Sequence, residues 1–317
     1  MILFFFIIKM VKYMKIRFGY ACITKTIDKK FKTVNYSNFN DNYDKLNDVI
    51  KHNLDTLYEI LLYNVKNNIH FYRITSNLIP LIDHPNIDKN KIYKFNSEFK
   101  RIKKLVRENG MRVDMHSSEY VVINSVRKEV VSSSFSNIKE LYRILSKITD
   151  TPYIVMHVGS NVFGKKLSMS RFKNNFKKLP KKIRDCIIIE NDDKIFNIED
   201  VIELSKLINA PIVFDYHHHI CNHNNLKIDF DSIFSSWNGI PKMHISSSRS
   251  NKKSEFRSHH DFIDVGDFIE LCNKLKNINE DVDIMIEAKE KDNALFKLVR
   301  ELKYLNYNFI DETTLEL

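Results

Sequence analysis

The chain has 317 residues, of which 43% are hydrophobic, so it can bury a sizeable core as one large domain or two small ones. Its formal net charge of +10 at pH 7 favours polyanionic partners such as nucleic acids, although a lysine-rich soluble surface has the same composition. Six glycines and six prolines in the whole chain argue against long linkers and against glycine-rich phosphate loops.

The N-terminal residues 1–8 are strongly apolar, but this run is too short to span a bilayer and lacks both a basic leader and a small-residue cleavage site. Met14 begins a cleaner strand pattern. We therefore expect residues 1–13 to be an extension outside the fold and residues 14–317 to form a single domain without a membrane segment. Four widely spaced cysteines predict free thiols in a reducing, intracellular compartment.

Eight short apolar or β-rich runs alternate with amphipathic helical patterns along the chain. The strands are predicted at residues 15–20, 69–74, 111–115, 153–156, 186–189, 211–214, 240–243 and 282–286. Helices are predicted at about 45–66, 99–109, 138–148, within 165–184, and at 198–208, 267–275 and 294–305. This alternation predicts a single (β/α)8 barrel, or TIM barrel, with its active site at the C-terminal ends of the strands.

Six consecutive predicted strands end in a histidine or a carboxylate. In chain order these residues are His116, His157, Glu190, Asp215, His244 and Glu287. One such residue alone has a structural explanation, since a histidine at a strand end is often only hydrogen-bonded and a glutamate often pairs with a lysine. Six at the same end of a barrel predict a metal site, because imidazole nitrogen and carboxylate oxygen suit zinc, manganese or iron.

Loops that follow the predicted strands add further candidate ligands, namely His84 after the second strand, His218, and either His259 or His260. One divalent cation takes four to six ligands, so eight or nine candidates predict two or three cations bridged by a carboxylate. Clusters of this kind suit phosphodiester hydrolysis. The positive charge of the chain would then hold a nucleic-acid backbone.

The sequence resembles the UV damage endonuclease (UvdE) family, which is itself similar to the endonuclease IV and xylose-isomerase-like barrels. The matching stretches occur in family order from about residue 15 to residue 299. They are residues 17–22 (RFGYAC), 72–80 (YRITSNLIP) with His84-Pro85, His116 with 120–125 (YVVINS), 156–159 (MHVG), 189–192 (IEND), 214–218 (FDYHH), 242–246 (KMHIS), 259–264 (HHDFID) and 286–289 (IEAK).

The resemblance implies a cluster of two or three divalent cations, typically Mn²⁺ with Zn²⁺, Mg²⁺ or Co²⁺ as alternatives. It also implies nicking of double-stranded DNA 5′ to UV photoproducts (cyclobutane dimers and 6-4 photoproducts), with abasic sites as a further candidate substrate, leaving a 3′-hydroxyl. The implied ligands are His84, His116, His157, Glu190, Asp215, His218, His244, His259 and Glu287, with His259 favoured over His260 by its spacing to Asp261. Glu190, as the bridging carboxylate, Glu287 and Lys242 are the implied catalytic residues. Lys242 matches a family lysine that can be carboxylated, although a surface lysine is the alternative.

One departure from the family pattern concerns lesion recognition. The family usually has His-Pro-Gly-Gln-Tyr where this chain has residues 116–120 (HSSEY), so Glu119 replaces a glutamine that enters the duplex at the lesion. The resemblance matches Tyr20 to the partner of that glutamine and places Tyr120 beside it. A tyrosine that only closes the barrel mouth is the alternative for Tyr20. Glu119 adds a negative charge, which is unfavourable near phosphates; two alternatives are that the carboxyl is protonated or that it accepts a hydrogen bond from a cytosine amino group.

Basic residues near the mouth are candidate phosphate contacts, namely Arg73, Lys165, Lys166, Arg171, Arg249 and Lys289. Three other functions remain open from the sequence: an apurinic/apyrimidinic endonuclease of the endonuclease IV type, a sugar isomerase or epimerase, and a DNA-binding protein without activity. The basic charge argues against a neutral sugar as substrate. We expect a monomer in the cytoplasm or nucleus, from an AT-rich genome such as that of a large DNA virus or a low-GC microbe.

Overall fold

Eight parallel strands close into a barrel in the computed structural model, which describes residues 13–223 and 227–317. The barrel closes because β1 pairs in parallel with both β2 and β8. This arrangement confirms the predicted (β/α)8 fold. The strands are β1 (Lys15–Ala21), β2 (Phe71–Ile74), β3 (Arg112–His116), β4 (Ile154–His157), β5 (Ile187–Glu190), β6 (Ile212–Asp215), β7 (Lys242–Ile245) and β8 (Val282–Ile286).

Helices surround the barrel, and none in the described part of the chain is long and apolar enough to cross a membrane. They are α1 (Tyr43–Lys66), α2 (Asn96–Glu108), α3 (Lys128–Leu145), α4 (Lys165–Phe176), α5 (Lys181–Arg184), α6 (Ile198–Ile208), α7 (Tyr216–Cys221), α8 (Phe230–Phe234), α9 (Val265–Leu275) and α10 (Lys291–Tyr304). Helix α6 shows how local residues set such boundaries. Its first turn has a reciprocal capping box between Asn197 and Asp200, and it ends at Asn209 in the left-handed conformation.

Several elements differ from those predicted. Helix α3 begins at Lys128 instead of residue 138, because its first half is serine-rich and buries only Ser134, so it lacks the apolar periodicity that marks a helix. The short helices α7 and α8 were not predicted. A C-terminal hairpin of β9 (Asn308–Phe309) and β10 (Thr314–Glu316) was also missed, and β10 pairs antiparallel with β1. Of the predicted extension 1–13, only Tyr13 lies within the described residues.

The side chains of β1 alternate between the two faces of the barrel wall. Ile16, Phe18 and Tyr20 lie in the large core between the barrel and its helices. Arg17, Gly19 and Ala21 occupy the alternate positions, which in a strand point to the opposite face. A side chain at Gly19 is excluded, since a Cβ there would lie 2.2 Å from the Phe71 carbonyl oxygen. The same alternation in β2 to β8 determines which residues enter the barrel and reach the mouth.

All four cysteines are free thiols, in agreement with the prediction: Cys186 and Cys272 are buried, Cys22 and Cys221 half-buried.

Asp292 joins the loop after β1 to the first turn of α10. Its fully buried carboxylate accepts hydrogen bonds from the Thr24 hydroxyl at 2.6 Å, the Lys25 amide at 2.6 Å and the Tyr63 hydroxyl at 3.1 Å. Burial raises the pKa of Asp292, but these donors outweigh burial and hold the pKa below its ordinary value. The carboxylate therefore stabilises the fold above the unfolded-state pKa of about 3.9, and this contribution is lost as the pH falls through the lower folded-state pKa.

Replacing Asp292 with asparagine is expected to lower the free energy of unfolding by about 1–3 kcal/mol at pH 7, because buried donors lose a charged acceptor. The deficit relative to the wild type should shrink as the pH is lowered below about 4, because the carboxyl becomes protonated first in the unfolded chain and, at lower pH, in the folded protein. Urea unfolding of both proteins at pH 7 and at pH 3 measures this difference. An equal deficit at both pH values would contradict the assigned role of the carboxylate.

Candidate metal centre

The six polar strand ends meet at the C-terminal mouth of the barrel, where the alternation of each strand directs them inward. They are His116, His157, Glu190, Asp215, His244 and Glu287, and the last follows directly on β8. Asp215 and His244 are fully buried, and Glu190 is 1% exposed. Carboxylates are buried in this way only when they are paired or bind cations.

Glu190 lies at the centre of this ring and contacts imidazoles on both sides. His116 Nε2 donates to Glu190 Oε2 at 2.8 Å, and His244 Nδ1 donates to Glu190 Oε1 at 2.8 Å. His218 Nδ1 and His157 Nε2 lie 3.7 and 4.0 Å from the same carboxylate. The potential ligand atoms form two groups that share this residue, one of His116, His157 and Glu190 and one of Glu190, Asp215, His244 and Glu287, with the atoms of each group within 4.8 Å of one another.

Asp215 is held rigidly, with one oxygen left free. It caps α7 through Oδ1, which accepts the His218 amide at 2.7 Å. The buried Asn191 side chain bonds to both the amide and the carbonyl of Asp215 at 2.9 Å. Asp215 Oδ2 is buried without a hydrogen-bond partner and lies 3.8 Å from His244 Nδ1. A buried carboxylate oxygen without a donor, directed at an imidazole, is what a cation-binding site requires, so the residues present fit a divalent metal.

The electrostatics of the centre favour the protonation states that bind metals. Burial raises the pKa of Glu190, but the neighbouring His244 and His157 outweigh it and hold that pKa well below its ordinary value. Glu287 behaves in the same way next to Arg73. Burial lowers the pKa values of His157 and His244. Ionised carboxylates and neutral imidazoles are the ligand forms of these side chains.

Three predicted ligands lie outside the two groups. Burial lowers the pKa of His218, but the negative charges of Asp215 and Glu190 outweigh burial and raise the pKa to about 9. His218 therefore lies close enough to these two carboxylates to interact with them electrostatically. The His259 ring lies 6.3 Å from the His218 ring, whereas His260 is exposed and its Nδ1 accepts the Phe262 amide at 3.0 Å. His84 stacks on Tyr36 at 3.8 Å between ring centroids, in the loop after β2. The roles of His84, His218 and His259 as ligands stay predictions.

A layer of buried charges lies below the centre. Arg73, predicted as a phosphate contact at the mouth, is only 6% exposed; its Nη1 forms an ion pair with Glu287 Oε1 at 2.6 Å, and its Nη2 donates to His244 Nε2 at 2.6 Å. That prediction is corrected, because the alternation of β2 turns Arg73 into the barrel beside Phe71. Lys242 is fully buried rather than at the surface, and it pairs with Asp114. Burial lowers the pKa of Lys242 to about 8.

A family model described as UV-endonuclease UvdE matches residues 16–316 of the chain. The chain belongs to the UvdE family. Membership makes it an endonuclease, a hydrolase that acts on phosphodiester bonds, and the resemblance seen in the sequence is confirmed.

Three relatives show how far the likeness to UvdE and related barrels extends. A UV DNA damage endonuclease of Bacillus cereus strain B4264 is 35% identical over 303 residues, which cover 91% of this chain and 95% of the relative. The crystal structure of SacUVDE superposes with a TM-score of 0.84 at 34% identity and covers 92% of this chain and 99% of that one. Endonuclease IV from Thermus thermophilus has a TM-score of 0.57 at 13% identity, over 92% and 97% of the two chains, and shares the fold alone.

Two of the residues that the UvdE resemblance assigns to the lesion differ sharply in exposure. Tyr20 is fully buried on the outer face of β1, where its hydroxyl donates to Asn64 at 2.8 Å and its ring packs on Tyr72. It is not presented for stacking on a base, so that prediction is corrected. Tyr120 is 80% exposed in the loop after β3, and Glu119 beside it is also exposed.

Some of the other predicted phosphate contacts of this UvdE member are bonded to other groups of the protein, and others are exposed. Arg171 donates to the carbonyls of Asn124 and Val162, and Lys165 pairs with Asp200 at 2.5 Å. Lys166 and Arg249 are exposed on the loops at the mouth or just after them, and the exposed Lys289 pairs with Asp261 at 4.0 Å. DNA contact by these residues stays a prediction.

Asp114 and Asn191 contribute to the site, although neither residue was predicted from the sequence to have a role. Asp114 lies two residues before His116, and strand alternation alone could have placed it on the same inward face. Asn191 follows Glu190 and holds Asp215 through hydrogen bonds to its backbone. No sequence signal marks such a contact, because it joins two different strand ends.

Proposed function

We propose that this chain is a divalent-metal-dependent repair endonuclease that nicks double-stranded DNA immediately 5′ to UV photoproducts, both cyclobutane dimers and 6-4 photoproducts, and leaves a 3′-hydroxyl. The observation that supports this most strongly is the position of Glu190, which is shared by two potential ligand groups at the mouth of a UvdE-family barrel. A bridging carboxylate between two cations is the arrangement used for in-line displacement at phosphorus.

Nine residues are proposed to hold two or three cations, with Mn²⁺ as the physiological ion and Zn²⁺, Mg²⁺ or Co²⁺ as alternatives. They are His84, His116, His157, Glu190, Asp215, His218, His244, His259 and Glu287. When bound, such cations lower the pKa of a water, polarise the phosphoryl group and stabilise the leaving oxygen. Reconstitution of the metal-free protein with each ion separately, followed by nicking assays, identifies the ion that supports the highest rate.

The chain itself fixes the geometry and the charge of the centre. Asn191 orients Asp215 from the neighbouring strand, and Arg73 holds Glu287 in place at 2.6 Å. Lys242 and Arg73 place positive charge beneath the mouth, within the low-dielectric interior, where it offsets the negative charge that develops on a phosphodiester above them without direct contact. Glu190, Glu287 and Lys242 are the proposed catalytic residues.

Two duplexes separate this function from its main alternative, an apurinic/apyrimidinic endonuclease. One carries a single cyclobutane dimer and the other a single abasic site, and both are incubated with the purified protein and Mn²⁺. We expect a nick 5′ to the dimer whose 3′ end a polymerase can extend. Cleavage of only the abasic duplex would favour the alternative. Cleavage of neither duplex would contradict both nuclease activities and would favour the sugar isomerase or epimerase alternative.

Replacing Glu119 with glutamine, the usual residue of the family, is expected to strengthen binding to a dimer-containing duplex by roughly 3–10-fold at low salt. The reason is that one negative charge is removed close to the phosphates. Fluorescence anisotropy at two salt concentrations measures this change, and Glu203→Gln on the exposed face of α6 is the matched control. Weaker binding by Glu119→Gln would show that Glu119 instead accepts a hydrogen bond from a base.

We further propose that the protein acts as a monomer inside the cell. The relatives named above whose source is given are bacterial, so a viral origin gains no support from them.

A further inference from the structure

The loop after β4 ends in a tight turn that displays a phenylalanine. The Gly164 amide donates to the Asn161 carbonyl at 3.0 Å, so Val162 and Phe163 are the two central residues of the turn. Phe163 has φ = +66° and is 75% exposed. Glycine or asparagine is the usual residue where a turn needs positive φ, and a bulky aromatic there is strained. Both its backbone conformation and its exposure are therefore unfavourable for a phenylalanine that serves only the fold.

This exposure is unusual within the protein. Among the phenylalanines of residues 13–223 and 227–317, Phe163 is the only exposed one, and the others are buried or half-buried. Two further apolar side chains extend the same surface, since Val162 is 43% exposed and Leu167, in the first turn of α4, is 56% exposed. Exposed apolar side chains that follow one another on a loop and the first turn of the next helix indicate a surface that contacts a partner.

The turn is braced rather than loose. Arg171 on α4 donates from Nε to the Asn124 carbonyl at 2.9 Å and from Nη2 to the Val162 carbonyl at 2.5 Å. The Asn124 side chain in turn bonds to the Ser160 amide at 2.8 Å and to the Ser160 carbonyl at 2.7 Å. These bonds join the loop after β4 to the loop after β3. The phenylalanine is thus held in position at the tip of a supported loop.

The loop after β3 carries a second highly exposed aromatic residue, Tyr120, which is 80% exposed. The Val121 amide donates to the Ser118 carbonyl at 3.0 Å, so Tyr120 occupies the third position of its turn, as Phe163 does in the neighbouring turn. The two loops leave the paired strands β3 and β4 directly after the potential ligands His116 and His157. Both aromatic residues therefore lie on loops that start at the metal centre, four and six residues after its potential ligands His116 and His157.

We propose that Phe163 contacts DNA as a second aromatic residue, which enters the duplex beside Tyr120 and stacks on a base that the lesion leaves poorly stacked. This inference rests on the function proposed above. An aromatic ring can stack on any base, so Phe163 needs no sequence-specific partner. An apolar wedge of this kind also holds a kinked duplex open, which suits damaged DNA better than intact DNA. The exposed Lys166, three residues along the chain, adds positive charge for the backbone next to the insertion point.

The test uses the full chain loaded with Mn²⁺ and a dimer-containing duplex in which the linkage 5′ to the dimer is an uncleavable methylphosphonate. A 2-aminopurine placed opposite the lesion reports unstacking, and anisotropy gives the affinity. Phe163→Ala is expected to bind roughly tenfold more weakly, the loss of about one base–aromatic stack, and to lose most of the fluorescence increase. Phe163→Trp should retain both signals. Tyr304→Ala, which removes an 86%-exposed tyrosine at the far end of α10, should match the wild type.

Phe163→Gly separates DNA contact from folding. Glycine adopts φ = +66° without strain, so this variant should unfold at a temperature no lower than that of the wild type and keep its metal content, yet lose DNA affinity as Phe163→Ala does. Wild-type affinity and fluorescence in both Phe163 variants would overturn the inference. Absence of nicking by the wild type on a cleavable dimer duplex would overturn the proposed function instead, so the two failures are distinguishable.

Discussion

Replacing Glu190 with glutamine is expected to abolish nicking and to remove metal from the protein. Glutamine has the same shape but lacks the negative charge that two potential ligand groups share. It also replaces one acceptor oxygen with a donor next to the His116 and His244 nitrogens, both 2.8 Å away. Mutation of a residue that only supports a metal ligand lowers metal affinity or activity by roughly 10–100-fold. Because Glu190 is proposed to bind the metal directly, the loss of nicking activity in Glu190→Gln should exceed about 100-fold.

Two measurements check the Glu190 prediction. The metal content per chain, measured by elemental analysis after dialysis, should be lower in the variant than in the wild type. Nicking of a dimer-containing duplex by the variant should fall to background. Glu129→Gln is the control, because it makes the same chemical change on a side chain that is 73% exposed in the first turn of α3. Full metal content together with full activity in Glu190→Gln would contradict the bridging role.

Replacing Asp283 with asparagine is expected to destabilise the barrel by about 3 kcal/mol without altering the mouth, because breaking a buried ion pair on one side is strongly unfavourable. The Asp283 carboxylate is fully buried and accepts from Arg17 Nε at 2.6 Å and from Arg112 Nη1 at 2.7 Å. Asparagine leaves these two guanidinium groups without their counter-charge inside the barrel. Arg112 cannot easily turn away, because it also lies over the Trp237 ring at 4.9 Å.

Urea unfolding of the metal-free protein measures this loss, since bound metal would add its own stabilisation. The control is Asp185→Asn, which removes a 55%-exposed carboxylate from a surface pair with Lys181 and should change the unfolding free energy by less than about 1 kcal/mol. Folded Asp283→Asn protein should still take up metal at the mouth. An unfolding free energy equal to that of the wild type would show that the buried ion pairs add nothing to stability.

The mouth could be predicted from the sequence because parallel strands in a barrel end at one rim. Each of the six polar strand ends needed only its position after an apolar run, and the structure brings all six together. Residues on the loops, such as His84 and His259, follow no such rule. Their positions depend on the path of irregular backbone, and only the family resemblance marked them as candidates.

The two corrected residues are Tyr20 and Arg73. For both, the motif gave the position in the chain, but the alternation of the strand determines which face of the barrel the side chain occupies. In β1, Tyr20 shares a face with Ile16 and Phe18, so alternation of period two already predicts that it packs under the helices. In β2, Arg73 shares the inward face with Phe71 and so pairs with Glu287 inside the barrel. The half-exposed start of α3 and the C-terminal hairpin were missed because neither has a buried apolar pattern of its own.

The central claim, that imidazoles and carboxylates from successive strand ends bind shared cations, is tested most directly by anomalous diffraction from crystals grown with Mn²⁺. We expect two or three anomalous peaks at the barrel mouth, with Glu190 bridging two of them and Asp215 Oδ2 in contact with at least one. A well-ordered mouth that contains no anomalous peak in saturating Mn²⁺ would contradict the account.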